Sequence, residues 1–252
     1  MTKVYYIYHS CFLVELDDRY LLFDYFNKES VSDMVAFSGN LPLLSDEKKL
    51  YVFASHGHKD HFDLEVLRWA KDRGDNIHYV LSKHVRLGRN YLIRNGIDPV
   101  IKERITFVGA RSKYKVDDMD IETLRSTDEG VAFFITVNGM NIYHAGDLHW
   151  WNAGGRGDMY SEKYGIDYKR EIRTIQNKHI DLAFVVLDPR LGEDGYYFGL
   201  EHFLKTVDAD YIFPMHLWGQ YQWIERFKHR PGIANLVDRI VDIDRECIEY
   251  DL

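Results

Sequence analysis

One hexapeptide constrains this chain more than any other part of it. His56-Gly57-His58-Lys59-Asp60-His61 follows directly on an apolar run, 50–55, that reads as a strand, and it precedes Asp63, a residue type that caps helices. Neutral imidazole nitrogens together with a charged carboxylate oxygen form the donor set that suits zinc, manganese or iron near neutral pH. In a tight loop, residues 56 and 58 can point toward one ion while 60 and 61 turn toward a second, and Gly57 relieves the crowding between them. A histidine-rich surface loop or a helix-capping network would use the same residues. The choice therefore rests on whether the chain supplies further donors.

Hydrophobic patterning gives the frame on which such donors would sit. Strands are expected over 4–8, 12–16 and 20–23, turning at Asp17-Asp18, and again over 50–55. A helix over 64–71 capped by Asp63, a strand over 77–81 and a helix over 83–93 stopped by Asn95-Gly96 follow. A second β-rich block covers 105–108, 121–124, 131–137 and 141–143, with Asn138-Gly139 as a hairpin turn. The loop-rich stretch 148–168 leads to a helix near 169–178, a buried strand at 182–187 and a helix near 200–207. A last core strand at 211–213 precedes a mostly helical remainder over 222–238. This order predicts an α/β protein of layered sandwich type. No Gly/Ser or single-charge tract divides the chain, so residues 1–252 are expected to form one domain.

The further donors stand at three predicted strand ends: Tyr143-His144-Ala145-Gly146-Asp147, Leu187-Asp188 and Phe213-Pro214-Met215-His216. Ligands gathered at strand ends make a rigid site at one edge of the sheets. With these residues in place the sequence resembles the metallo-β-lactamase superfamily, over nearly the whole chain. Tyr8-His9-Ser10-Cys11-Phe12 and the Tyr143–Asp147 phrase look most like its lactonase-like branch of metal-dependent hydrolases. The resemblance implies an αββα sandwich, two mixed sheets flanked by helices. It also implies a ligand series onto which His56, His58, Asp60, His61, Asp147 and His216 fall one by one, with Asp24 supporting the metal loop by hydrogen bonding.

One position departs from the family pattern. Where a histidine is usual between the first cluster and Asp147, this chain has Ser126-Thr127-Asp128-Glu129-Gly130, and Asp128 is the candidate ligand. A carboxylate there adds negative charge and favours manganese or iron more than an all-histidine site does. His144 or His149 completing the site, or a weakly occupied first site, are the alternatives. His9 is expected near the site, either supporting it or simply packed. Asp188 and Arg190 are expected at the pocket, Arg190 to receive an anionic substrate. Trp150, Trp151, Tyr160 and Tyr164, interrupted by Gly154-Gly155 and Gly157, suggest a lid, with Tyr196, Tyr197 and Trp218 as an aromatic wall.

The implied activity is that of a hydrolase with two divalent ions, zinc first and manganese or iron as alternatives, sharing Asp147 and a hydroxide that attacks a small ester, lactone or phosphoester. His56, His58 and Asp128 serve one ion, His61 and His216 the other, and Asp60 is also the catalytic residue that orients the hydroxide and accepts its proton. A redox di-iron version of the family usually carries glutamate at the second histidine of the loop, and His58 argues against it. The alternative from another class is a metal-binding regulatory or scaffold protein of the same fold without hydrolytic activity.

Composition narrows the partners. The net charge of −8 repels polyanions at long range, so a small-molecule substrate is expected and a nucleic acid is not. The longest purely apolar run, 182–187, is far short of the ~20 residues of a membrane span. Its two cysteines, Cys11 and Cys247, are too few for a disulfide framework, and no secretory leader pattern opens the chain. A cytoplasmic protein is expected.

Overall fold

A computed structural model describes residues 2–26, 40–152 and 159–252. In chain order it contains β1 (Lys3–Tyr8), β2 (Cys11–Glu15), β3 (Arg19–Phe23), β4 (Lys49–Ala54), α1 (Glu65–Arg68), α2 (Ala70–Arg73), β5 (Ile77–Ser82), α3 (Arg89–Arg94) and β6 (Ile105–Val108). There follow β7 (Lys113–Val116), β8 (Met119–Arg125), β9 (Val131–Val137), β10 (Met140–His144), α4 (Met159–Arg173), β11 (His179–Val186), α5 (Phe198–Thr206), β12 (Asp208–Met215), α6 (Gln222–Lys228) and β13 (Ile248–Asp251). The chain divides into two compact units, Met1–Gly109 with Glu246–Leu252, and Ala110–Arg245.

The first unit holds a seven-stranded sheet in the order β13-β1-β2-β3-β4-β5-β6. Its β13-to-β3 half is antiparallel and its β3-to-β6 half parallel. Alternate residues of one face, among them Leu13, Leu22, Val52, Tyr79 and Leu81, join Val66 and Leu67 of α1 and Leu92 of α3 in a buried cluster. The Tyr79 hydroxyl donates to the Val66 carbonyl at 2.8 Å and ties strand to helix.

The second unit repeats the plan, antiparallel strands first and parallel strands last. Its six-stranded sheet runs β12-β11-β10-β9-β8-β7, with β12, β11 and β10 parallel and the rest antiparallel. Asn138 and Gly139 close the β9–β10 hairpin with φ of 52° and 77°, the paired left-handed geometry that an Asn-Gly turn supplies. Tyr143 of β10 stacks on Phe203 of α5 with centroids 5.4 Å apart. Two mixed sheets, each with its helices, make up the metallo-β-lactamase type of α/β fold expected from the sequence. No helix among the described residues is long and apolar enough to cross a membrane.

Several expected elements are corrected. The helix over 83–93 begins only at Arg89, because the Lys83 N–H pairs with the Val108 carbonyl at the end of β6 and Val85 closes a turn on Ser82. The helix over 64–71 is two short ones: the Asp72 and Arg73 N–H groups both return to the Trp69 carbonyl, and Asp63 accepts from the Glu65 N–H at 2.7 Å. Helix α4 starts at Met159, ten residues before the expected 169, inside what reads as loop. Its buried positions Ser161, Gly165, Tyr168 and Ile172 have helical spacing, but the first two are not apolar and give no periodic signal. Strands β7 and β13 are absent from the expectation because both are short sheet edges carrying charges, so β12 is not the last strand of the chain. The stretch 222–238 is helical only at α6 and in a 3-10 turn at Val237–Arg239.

Candidate metal centre

Parallel sheet halves put functional groups at the carboxyl ends of their strands, and both units follow that rule. In the first unit Asp24 follows β3, Ser55 and the histidine loop follow β4, and His84 follows β5. In the second, Asp147 follows β10, Asp188 follows β11 and His216 follows β12.

Asp24 is the hub of the first unit. It is fully buried with φ of 46°, and it accepts the Ser55 N–H at 2.7 Å, the Ser55 hydroxyl at 2.7 Å and His61 Nδ1 at 2.7 Å. An ionised carboxylate only accepts, so His61 carries its proton on Nδ1 and keeps a lone pair on Nε2. That Nε2 faces Asp60 Oδ2 at 3.6 Å. The Ser55 hydroxyl spends its proton on Asp24 and must accept from His56 Nδ1 at 3.0 Å, which leaves the lone pair of His56 on Nε2 as well. His56 Nε2 lies 2.9 Å from His58 Nδ1, a hydrogen-bond distance that brings the two rings together at the mouth of the loop. His84 stands behind them, its Nδ1 accepting from the Gly57 N–H at 3.2 Å. His9, from the β1–β2 turn, is also fully buried, with Nε2 3.4 Å from Asp60 Oδ2.

The second unit reproduces the arrangement around Asp188. This buried carboxylate accepts His216 Nδ1 at 2.9 Å, the Arg190 N–H at 2.9 Å and the Arg190 guanidinium at 2.6 Å. Burial would raise its pKa, but the hydrogen bonds from His216 and Arg190 and the positive charge of Arg190 outweigh burial and hold Asp188 well below the usual carboxylate range. His216, at φ of 69°, presents Nε2 to Asp147 Oδ1 at 3.4 Å. A carboxylate oxygen of Asp128 lies within 4.8 Å of one from Asp147. Asp128 sits in the β8–β9 turn, where its N–H donates to the Ser126 hydroxyl at 3.1 Å.

Other expectations resolve differently. His144 and His149 join no cluster of metal-type donors among the described residues. His144 Nδ1 accepts from the Gly146 N–H at 3.2 Å, while His149 is fully buried and burial pushes its pKa down to about 3. Arg190 is not held out for an anion: its fork grips Asp188 and its guanidinium lies 4.4 Å from the centroid of the Trp218 ring. The Trp150 indole donates to the Ser161 carbonyl, and its ring packs on Phe198. The Trp151 indole donates to the Asp147 carbonyl, with its ring 5.8 Å from that of His216. Gly154, Gly155 and Gly157 of the expected lid lie outside the described residues. The role of Asp188 in fixing His216 was not read from the sequence, although its place at a strand end was the available signal.

The model of one family, described as the beta-lactamase superfamily domain, matches residues 3–153, more than half of the chain. The chain belongs to the metallo-β-lactamase superfamily. Its members are largely hydrolytic metalloenzymes, and the two histidine–aspartate networks give this member a donor set suited to metal ions. No curated protein matches by sequence.

Solved structures share the superfamily fold. Igni18, a metallo hydrolase from the hyperthermophilic archaeon Ignicoccus hospitalis, is 19% identical with a TM-score of 0.58, covering 100% of this chain and 99% of its own. The metallo-beta-lactamase fold protein YhfI from Bacillus subtilis is 14% identical with a TM-score of 0.55, covering 99% and 98%. CmlA, a diiron beta-hydroxylase from Streptomyces venezuelae, is 12% identical with a TM-score of 0.52, covering 99% of this chain and 48% of CmlA.

Proposed function

We propose that this protein is a binuclear metal-dependent hydrolase acting on a small ester, lactone or phosphoester. One observation carries the reading: His61 and His216 each bind a buried carboxylate through Nδ1 and turn Nε2 toward a second carboxylate, Asp60 and Asp147 respectively. A carboxylate–histidine pair of this kind is the usual support of a metal-binding imidazole, since it fixes the tautomer and raises the basicity of the free nitrogen. His56, His58 and Asp128 are assigned to one ion and Asp60, His61 and His216 to the other, with Asp147 serving both. Residues 1–252 are taken as one catalytic domain, a reading supported by the family match running across the boundary between the two units.

Divalent ions at such a site lower the pKa of water toward ~7 and polarise the oxygen of a carbonyl or phosphoryl group. The residues of the chain do the rest. Asp60 is partly exposed, with a side-chain accessibility of 19%, so it can reach solvent water and is assigned to orient the attacking molecule and accept its proton. Asp24 and Asp188 keep the imidazoles from rotating when the charge at the site changes. The donor set of four histidines and three aspartates, with Asp128 in place of an imidazole, suits zinc and accepts manganese or iron.

A lactone or similar cyclic ester is the favoured substrate, on the resemblance of the Tyr8–Phe12 and Tyr143–Asp147 segments, and phosphodiesters come second. The net charge of −8 supports a small substrate rather than a nucleic acid. Two free cysteines, Cys11 buried and Cys247 exposed, support work in the cytoplasm. Metal-loaded protein assayed against a panel of lactones and bis(p-nitrophenyl) phosphate, before and after chelation, tests the reading. Chelator-sensitive turnover of lactones is expected. Turnover of the phosphodiester alone would move the assignment to phosphodiesterase, and no turnover on any substrate with both ions bound would remove the hydrolase.

A further inference from the structure

His9 stands outside the ligand series by which the chain was assigned, yet its surroundings are those of a ligand. It occupies the turn between β1 and β2, where the register of the two strands shifts between Tyr6 and Tyr8. Its φ is 58°, in the left-handed region where histidine, like asparagine and aspartate, is enriched among residues other than glycine. The contacts that hold it are local. Its N–H donates to the Tyr6 hydroxyl at 3.0 Å, and its ring meets His61 edge-on at 5.7 Å and Phe26 at 6.1 Å between centroids. The side chain is fully buried, and the turn aims it at the histidine loop.

The distances at its tip discriminate between hydrogen bonding and coordination. His9 Nε2 lies 3.4 Å from Asp60 Oδ2, and His61 Nε2 lies 3.6 Å from that same oxygen. Both separations exceed the ~2.7–3.2 Å of an N–H···O hydrogen bond. Donors each ~2.1 Å from a common tetrahedral ion are about 3.4 Å apart, which is the spacing found. The ligand atoms of His9, Asp60 and His61 all lie within 4.8 Å of one another.

We propose that His9 is a metal ligand, binding through Nε2 together with Asp60 and His61. The inference rests on the metal-dependent reading above and deepens it, because the ion assigned to Asp60 and His61 then takes three donors from the first unit alone. Two of them come from the loop after β4 and one from the β1–β2 turn. A cradle of three donors on one sheet edge holds its ion by itself, so this position is expected to fill first and release its metal last.

Cobalt(II) and zinc(II) binding to the full-length chain tests the proposal. His9→Gln keeps a donor of similar reach, and His9→Asn suits the left-handed backbone. Cobalt(II) titration followed by visible absorption, with zinc affinity measured by competition with a chromophoric chelator, should show one ion weakened about 100-fold or more in both variants. The ligand-field bands of that ion should change while those of the other persist. Variants that bind both ions with unchanged bands overturn the ligand role, whatever small change in affinity accompanies them. If neither variant folds, the proton spectrum of cobalt(II)-loaded wild type decides: a hyperfine-shifted imidazole N–H assignable to His9 supports the proposal, and its absence from the shifted set overturns it. A wild type that binds no divalent ion removes the hydrolase reading and this inference together. A wild type that binds two ions with His9 unperturbed removes this inference alone.

Discussion

Asp24 controls more of the candidate centre than any ligand does. Through Ser55 it sets the tautomer of His56, and directly it sets that of His61, so one buried carboxylate prepares two imidazoles. Asp24→Asn is expected to weaken zinc binding by ~10–100-fold, the usual effect of removing the carboxylate behind a ligating histidine, without abolishing it. Competition with a chromophoric chelator measures this, and wild-type affinity would contradict it. Asp188→Asn should behave likewise through His216. His149 gives a pH signature. Burial depresses its folded pKa to about 3 from 6.5, so the unfolded chain takes up a proton below pH 6.5 that the folded chain does not. Its contribution to stability is complete above pH 6.5 and is lost as pH falls from there toward 3. The urea midpoint of chelated protein should therefore fall between pH 7 and 5 more steeply in wild type than in His149→Gln; equal slopes would contradict the assignment. At this scale the sequence is informative where chemistry repeats a pattern, as in the His56–His61 loop, and silent where a role depends on an unrelated turn. Asp188 is a strand-end acid like many others until the fold places it 2.9 Å from His216.

Elements were legible in proportion to their apolar contrast. Strand β4 and the buried core of β11 carry unbroken runs of hydrophobic residues, as parallel strands covered on both faces do, and were expected nearly as they occur. Helix α4 was missed because its inner face uses smallness instead of hydrophobicity. A Cβ on Gly165 would stand 2.4 Å from the Trp150 ring, and one on Gly199 of α5 would stand 2.3 Å from His149 Nδ1. Both glycines exist so that large rings can lie against helix backbone. Helix propensity alone predicts that alanine at either site stabilises by up to ~1 kcal/mol. Overpacking of a buried contact costs ~1–3 kcal/mol, and since the indole of Trp150 is fixed by the Ser161 carbonyl and His149 is fully buried, the clash should win. Gly165→Ala and Gly199→Ala are therefore expected to lower stability in urea unfolding, and a gain in either would show that the ring moves aside freely.

For the whole molecule, the fold class was readable because each sheet pairs an antiparallel half with a parallel half and places its donors at the carboxyl ends of the parallel strands. That regularity is what the order of strands, helices and histidines encodes. Edge strands β7 and β13 were not readable, since each is only four residues long, too short for its alternation of charged and apolar residues to stand out as a strand. Metal should also couple to stability, because ions that bind only the folded chain raise its midpoint by mass action. Chelation is expected to lower the thermal midpoint, and zinc in excess to restore it. The most direct test of the central claim is the metal content of protein purified without added metal, by elemental analysis, repeated after incubation with zinc, manganese or iron. The account predicts about two divalent ions per chain, removable by chelator together with hydrolytic turnover. One ion or none after each metal has been supplied would contradict it.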